Sequence, residues 1–120
     1  MKGELKKFLV ICLLSSFSIL MVSKLSDSPI YVSILLFAIG LAMLSVIGWS
    51  KPCVLCYLII FVSGPLAESS CIHLGVWTYA NPAFFGIPLW LPFLWGNAGL
   101  YILSLKLLID SSFRKTALPH

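Results

Sequence analysis

Four long apolar runs leave this chain few ways to fold. They cover about residues 8–23 (FLVICLLSSFSILMVS), 30–49 (IYVSILLFAIGLAMLSVIGW), 53–76 (CVLCYLIIFVSGPLAESSCIHLGV) and 86–109 (GIPLWLPFLWGNAGLYILSLKLLI). At about 1.5 Å per residue, each run reaches or nearly reaches across a hydrocarbon layer of about 30 Å. Backbone N–H and C=O groups facing lipid find no water to bond, so each run must be a helix. Composition points the same way. Hydrophobic residues make up 60% of the chain and charged residues 10%, against about 45–50% and 25% in soluble domains. The polar surface is too small for a water-soluble globule, and 120 residues leave no room for a second domain. The expected architecture is all-α: one membrane domain over residues 1–120, folded as a four-helix transmembrane bundle.

The links are KLSDSP, SKP and the longer WTYANPAFF. Pro29 and Pro52 stand just ahead of spans, where a first-turn proline is tolerated. Ala38 and Ala42 give the second span an expected small-xxx-small contact face. Lys2, Lys6 and Lys7 precede the first run as in a secretory signal, but SKLSDS offers no small-x-small cleavage site, so the first span is expected to stay. With the N-terminus in the cytoplasm, Lys2, Lys6, Lys7, Lys51, Lys106, Arg114 and Lys115 fall on the inner side. Lys24 alone falls outside, seven against one of the eight basic residues. The positive-inside rule then places both N- and C-termini in the cytoplasm, in a multi-pass protein of the cell's inner (plasma) membrane. The net charge of +4 is thereby assigned to topology and not to nucleic-acid binding, and the partner it implies is the lipid bilayer.

Residues 49–57 read WSKPCVLCY. In this topology Cys53 and Cys56 lie at the cytoplasmic start of the third span, and Cys12 lies near the same face. Cys71 is 15 residues beyond Cys56, about 22 Å along a helix, whereas a disulfide needs Cα atoms within about 7 Å. A cytoplasmic Cys-x-x-Cys is normally reduced. A first-turn position beside Lys51 suits redox or soft-metal chemistry, with Cys12 as a third thiolate; small apolar residues filling helix contacts are the bland alternative. KPCVLC resembles the first dithiol of the disulfide-bond-formation quinone oxidoreductases of the B type, which are also four-helix membrane proteins. That resemblance implies a thiol relay through two dithiols. The loop WTYANPAFFGIP has no second cysteine pair and no arginine follows the motif.

The outer half of spans three and four carries the less usual chemistry. Glu68 falls inside an apolar run, and an acidic residue in a membrane is expensive enough to count as a candidate site. Asn97 lies between Gly96 and Gly99 in the fourth run. Antiparallel packing would bring Asn97 to the depth of Glu68, with a hydrogen bond expected between them. His73 is five residues from Glu68, roughly 140° around a helix, so the two do not share a face. His73, Trp77, Tyr79, Trp90 and Trp95 gather towards the outer interface as an aromatic belt or as the lining of a ligand pocket. Pro88 and Pro92 loosen the start of the fourth span, and broken helix ends near a buried polar group are how membrane proteins build small-ligand sites.

Glu68, the stretch Gly75-Val-Trp-Thr-Tyr79, Pro88-Leu-Trp-Leu91 and Leu94-Trp95 together resemble a group of small bacterial inner-membrane proteins built on a domain of unknown function. The resemblance spans roughly residues 64–105 and implies no activity. The favoured reading is an integral membrane protein that binds or transports a small or lipidic molecule at a polar site near Glu68. Its ligand-binding residues would be Glu68, Asn97, His73, Trp77, Tyr79 and Trp90. One alternative is a thiol–disulfide oxidoreductase or soft-metal carrier using Cys53 and Cys56 with Cys12. Another is a structural subunit packed against larger membrane partners. An enzyme acting on a lipid would need more convergent polar groups than one glutamate and an off-face histidine. The sequence calls for no cofactor.

Overall fold

The computed structural model describes residues 2–117, with side chains over 3–114. Lys2 and Lys115 of the charge bias therefore lie outside the described side chains. The chain forms α1 (Lys2–Leu25), α2 (Pro29–Ile47), α3 (Lys51–His73) and α4 (Leu91–Ala117). All four are long and apolar enough to cross a membrane, over Gly3–Leu25, Pro29–Ile47, Lys51–His73 and Leu91–Arg114. The fold is the all-α four-helix bundle, and the chain is a multi-pass membrane protein. Large apolar side chains such as Leu13, Ile19, Ile34, Ile59 and Ile102 point outward, as lipid contact requires.

Local chemistry sets the helix ends. Pro29 occupies the first turn of α2, and Gly48 closes that helix with a left-handed φ of 131° and an N–H bond to Leu44 O. Ser50 caps α3, its hydroxyl accepting from the Cys53 N–H. At the far end the apolar pattern runs on to Val76, yet α3 stops at His73. Gly75 takes a φ of +84°, its N–H bonds Ile72 O, and Val76 N–H reaches back to Cys71 O at 2.9 Å. This paired closure is a Schellman motif, and it needs the glycine. Span four likewise begins later than its apolar pattern, because residues 84–87 form a tight turn before Leu91. Pro92 falls in the first turn of α4, where its missing N–H costs nothing.

The fourth helix is the hub. It packs against α1, α2 and α3, most extensively against α3, while among the described residues no Cα of α1 comes within 8 Å of one of α3. Small residues permit this closeness. A Cβ on Gly96 would stand 2.5 Å from the Tyr57 ring, one on Gly99 would meet Ile60 at 2.9 Å, and one on Gly64 would meet Trp95 at 2.2 Å. The buried face of α2 is Val32, Leu36, Ile39, Gly40 and Met43. The expected Ala38–Ala42 face is not used, since both residues are exposed. Gly40 makes the close approach instead, and its Cβ would stand 2.7 Å from Asn97 Oδ1. Two apolar cores fill the bundle: one around Ile11, Ile39, Met43, Tyr57 and Leu100, the other around Val32, Leu36, Ile87, Trp90 and Leu91.

Candidate functional site

Glu68 lies one turn beyond Gly64 on α3, and Gly64 is where the Trp95 ring crosses from α4. That crossing brings the indole Nε1 to donate to Glu68 Oε2 at 2.6 Å. The other carboxylate oxygen accepts the Tyr79 hydroxyl from the loop. Tyr79 in turn meets Trp90 edge-on, ring centroids 6.1 Å apart. Burial, then the hydrogen bond to Glu68, then the negative charge of Glu68, push the Tyr79 phenol above its ordinary value. Tyr79 is therefore a committed donor at neutral pH. The glutamate ties the 74–90 loop and the head of α4 to one point on α3.

The expected Glu68–Asn97 hydrogen bond does not form. Asn97 is two residues from Trp95, roughly 160° away around α4, so a helix that turns Trp95 towards Glu68 turns Asn97 away. Its Nδ2 donates to Leu36 O at 3.0 Å and to Ser18 Oγ at 3.3 Å. Asn97 thus joins α4 to α1 and α2. Of the six expected ligand-binding residues, Glu68, Tyr79 and Trp90 come together. His73 lies exposed at the end of α3, and Trp77 lies exposed in the loop.

The loop doubles back along α3 before α4 begins. Ile87 N–H bonds Phe84 O at 2.9 Å, and Phe84 N–H bonds Ile87 O at 3.3 Å. Phe85, at φ 48°, and Gly86, at φ 79°, form the tip. A left-handed backbone is unusual for a bulky residue, and here it is held from outside. Ser69 Oγ donates to Phe85 O at 2.9 Å, and Gly86 leaves no space for a Cβ beside Ile72. The phenyl ring of Phe85 is left 80% exposed.

Two clefts open on either side of this tip. One, about 320 Å³, is walled by apolar groups including Phe61, Val62, Pro65, Phe84 and Pro92. The other, about 590 Å³, runs to the end of α3 past Ser70 and His73. They share Leu66, Ser69 and Phe85. Hydropathy alone does not reveal this turn. The FFG triplet ahead of Ile87 was its one local signal, and the glycine marks the second left-handed position.

The cysteines are apart or enclosed. All four are free thiols. Cys53 is 7% exposed within the core around Ile11, Ile39, Met43, Tyr57 and Leu100, and Cys56 donates its Sγ–H to Gly99 O at 3.6 Å. Cys12 belongs to α1, none of whose described Cα atoms comes within 8 Å of α3. Among the described residues, no three His, Cys, Asp or Glu side chains come close enough to hold a metal ion, so Cys12 does not complete a thiolate set with Cys53 and Cys56. Comparison with family models, with curated proteins and with solved structures gives no match.

Proposed function

We propose that the protein binds a lipidic molecule along the outer half of α3, with the tail in the apolar cleft and the polar head beside Ser70 and His73. The observation that carries this reading is the adjacency of the two clefts, which share Leu66, Ser69 and Phe85 as walls. Along α3 the walls change from mainly apolar groups with Ser69 to the hydroxyl of Ser70 and the imidazole of His73, the profile of an amphiphile. Glu68 acts here as a positioning residue. Both of its oxygens are engaged by Tyr79 and Trp95, and the clamp fixes the loop whose tip walls both clefts. In the cell's inner membrane, with both termini cytoplasmic, the head would lie at the outer face. The dithiol reading finds less support, because Cys53 is enclosed by the core around Ile11, Ile39, Met43, Tyr57 and Leu100.

The test uses the full chain in liposomes and a dansyl-labelled fatty acid as the probe, read by energy transfer from the tryptophans. Saturable transfer is expected. It should drop sharply in Val62→Phe, which fills the apolar cleft from an exposed position without touching the Glu68 clamp. Non-saturable transfer, or transfer that Val62→Phe leaves unchanged, would overturn the proposal.

A further inference from the structure

A second groove lies on the other side of the hub, between α1 and α4. It measures about 370 Å³ and is lined by Ser15, Ser16 and Ser18 on α1 and by Asn97, Ala98 and Tyr101 on α4, among others. It shares no residue with the clefts beside Phe85. No charged side chain lines it. Its serines fall near the middle of the 24-residue α1, so it opens at the depth of the hydrocarbon.

The hydroxyls in this groove are not equivalent. A helical serine in lipid usually closes onto the carbonyl one turn back. Ser18 does so with Leu14 O at 3.1 Å, as do Ser33 with Pro29 O and Ser45 with Leu41 O. Ser15 does not: its Oγ is buried and has no hydrogen-bond partner. Both donated bonds of the Asn97 amide are already spent on Ser18 and Leu36. The groove therefore has a polar floor in which the Asn97 Nδ2 is spent, while Asn97 Oδ1, set against Gly40 on α2, is buried without a partner. The Tyr101 side chain stands in one wall, and Ser15 supplies a hydroxyl donor without an acceptor in an environment where that is costly.

We infer that the α1–α4 groove is a binding site for a neutral, membrane-soluble molecule bearing a carbonyl oxygen, which accepts a hydrogen bond from Ser15. The absence of charge in the lining and the depth of the groove exclude an ionic headgroup on desolvation cost. The groove opens laterally, so the molecule enters from the bilayer. This site stands apart from the amphiphile site proposed above, and either can fail without the other.

The experiment is photolabelling of the full chain in liposomes with benzophenone, itself an apolar ketone, followed by peptide mapping of the adducts. Adducts are expected to concentrate on residues 12–19 and 94–101. A long-chain ketone should compete with them, and an alkane of the same length should not. Ser15→Ala should lower the yield about three- to tenfold, the range of one hydrogen bond inside a membrane, while Ser15→Thr restores it. Circular dichroism on each variant separates this loss from misfolding. Adducts spread in proportion to lipid exposure, over Leu13, Ile30 and Ile59 alike, would overturn the inference. So would a Ser15→Ala variant of normal helix content and unchanged yield.

Discussion

Glu68 is the residue that holds the 74–90 loop and the head of α4 to α3. Two donors from different segments meet its two oxygens. Removing the carboxylate leaves an indole N–H and a phenol O–H without acceptors in a half-buried setting. Glu68→Ala should therefore cost about 1–3 kcal/mol in SDS-titration unfolding. A double-mutant cycle between Glu68→Gln and Trp95→Phe should give a coupling of about 0.5–1.5 kcal/mol; zero coupling would separate the pair. The pH response follows from Tyr79. Its folded-state value lies above the ordinary 10.0, so its contribution is complete below that pH and is lost only as pH climbs through the raised value. At about pH 11, where a free phenol is ionised, the tyrosinate absorbance of the native protein minus that of Tyr79→Phe should still be near zero. A difference of one tyrosinate at that pH would contradict the buried, bonded phenol. That Glu68 is out of the ordinary is legible from sequence, because a carboxylate among apolar residues is expensive in a membrane. Its partners are not. The choice between Trp95 and Asn97 depends on how far α4 is rotated, and that rotation is set by Gly64 admitting the indole, a packing event with no signature along the chain.

Among the elements, α3 and α4 form the tightest pair, and glycine is the reason. Their surfaces interlock in both directions, Trp95 over Gly64 and Tyr57 over Gly96. In lipid, where apolar surface gains nothing by leaving the solvent, such close approach is a main source of helix association. Gly96→Ala should destabilise by about 1–3 kcal/mol, because the Tyr57 ring is buried and has no room to yield. Gly64→Ala should do more, since displacing Trp95 also breaks its bond to Glu68. Gly3→Ala is the control: nothing lies within 4 Å of its Cβ position, so it should be neutral or slightly stabilising. Equal effects at all three sites in SDS unfolding would show that helix propensity, not interlocking, governs them. Helix number and approximate extent were readable from hydropathy, because lipid leaves the backbone one solution. Helix faces were less so. Ala38 and Ala42 match a small-xxx-small pattern, yet Gly40 makes the contact, since a uniformly apolar helix carries no marker of which side meets protein.

For the whole molecule the open quantity is which way the bundle points. Lys6, Lys7, Lys51, Lys106 and Arg114 follow the odd-numbered starts and the final end of an up-and-down bundle, so they gather at one end, with Lys24 at the other. Insertion of that end into the cytoplasm satisfies the positive-inside rule. The native thiols are poor reporters of this, because Cys53 is buried and Cys56 is bonded to Gly99. Two exposed positions are better: Lys51 at the start of α3, and Asn81 in the loop that carries the Phe85 tip. In a cysteine-free background, Asn81→Cys should react with a membrane-impermeant maleimide in intact cells, and Lys51→Cys only after permeabilisation. The reverse pattern would invert the bundle and place the head of the proposed amphiphile site on the cytoplasmic side. Equal labelling of both would mean two orientations, which a basic bias this one-sided should forbid. The expected pattern puts the Phe85 tip, His73 and the open end of the clefts at the outer face, so the amphiphile would be taken from the outer leaflet. The mid-depth groove beside Ser15 is indifferent to the outcome, since a molecule arriving through the bilayer core meets it from either leaflet.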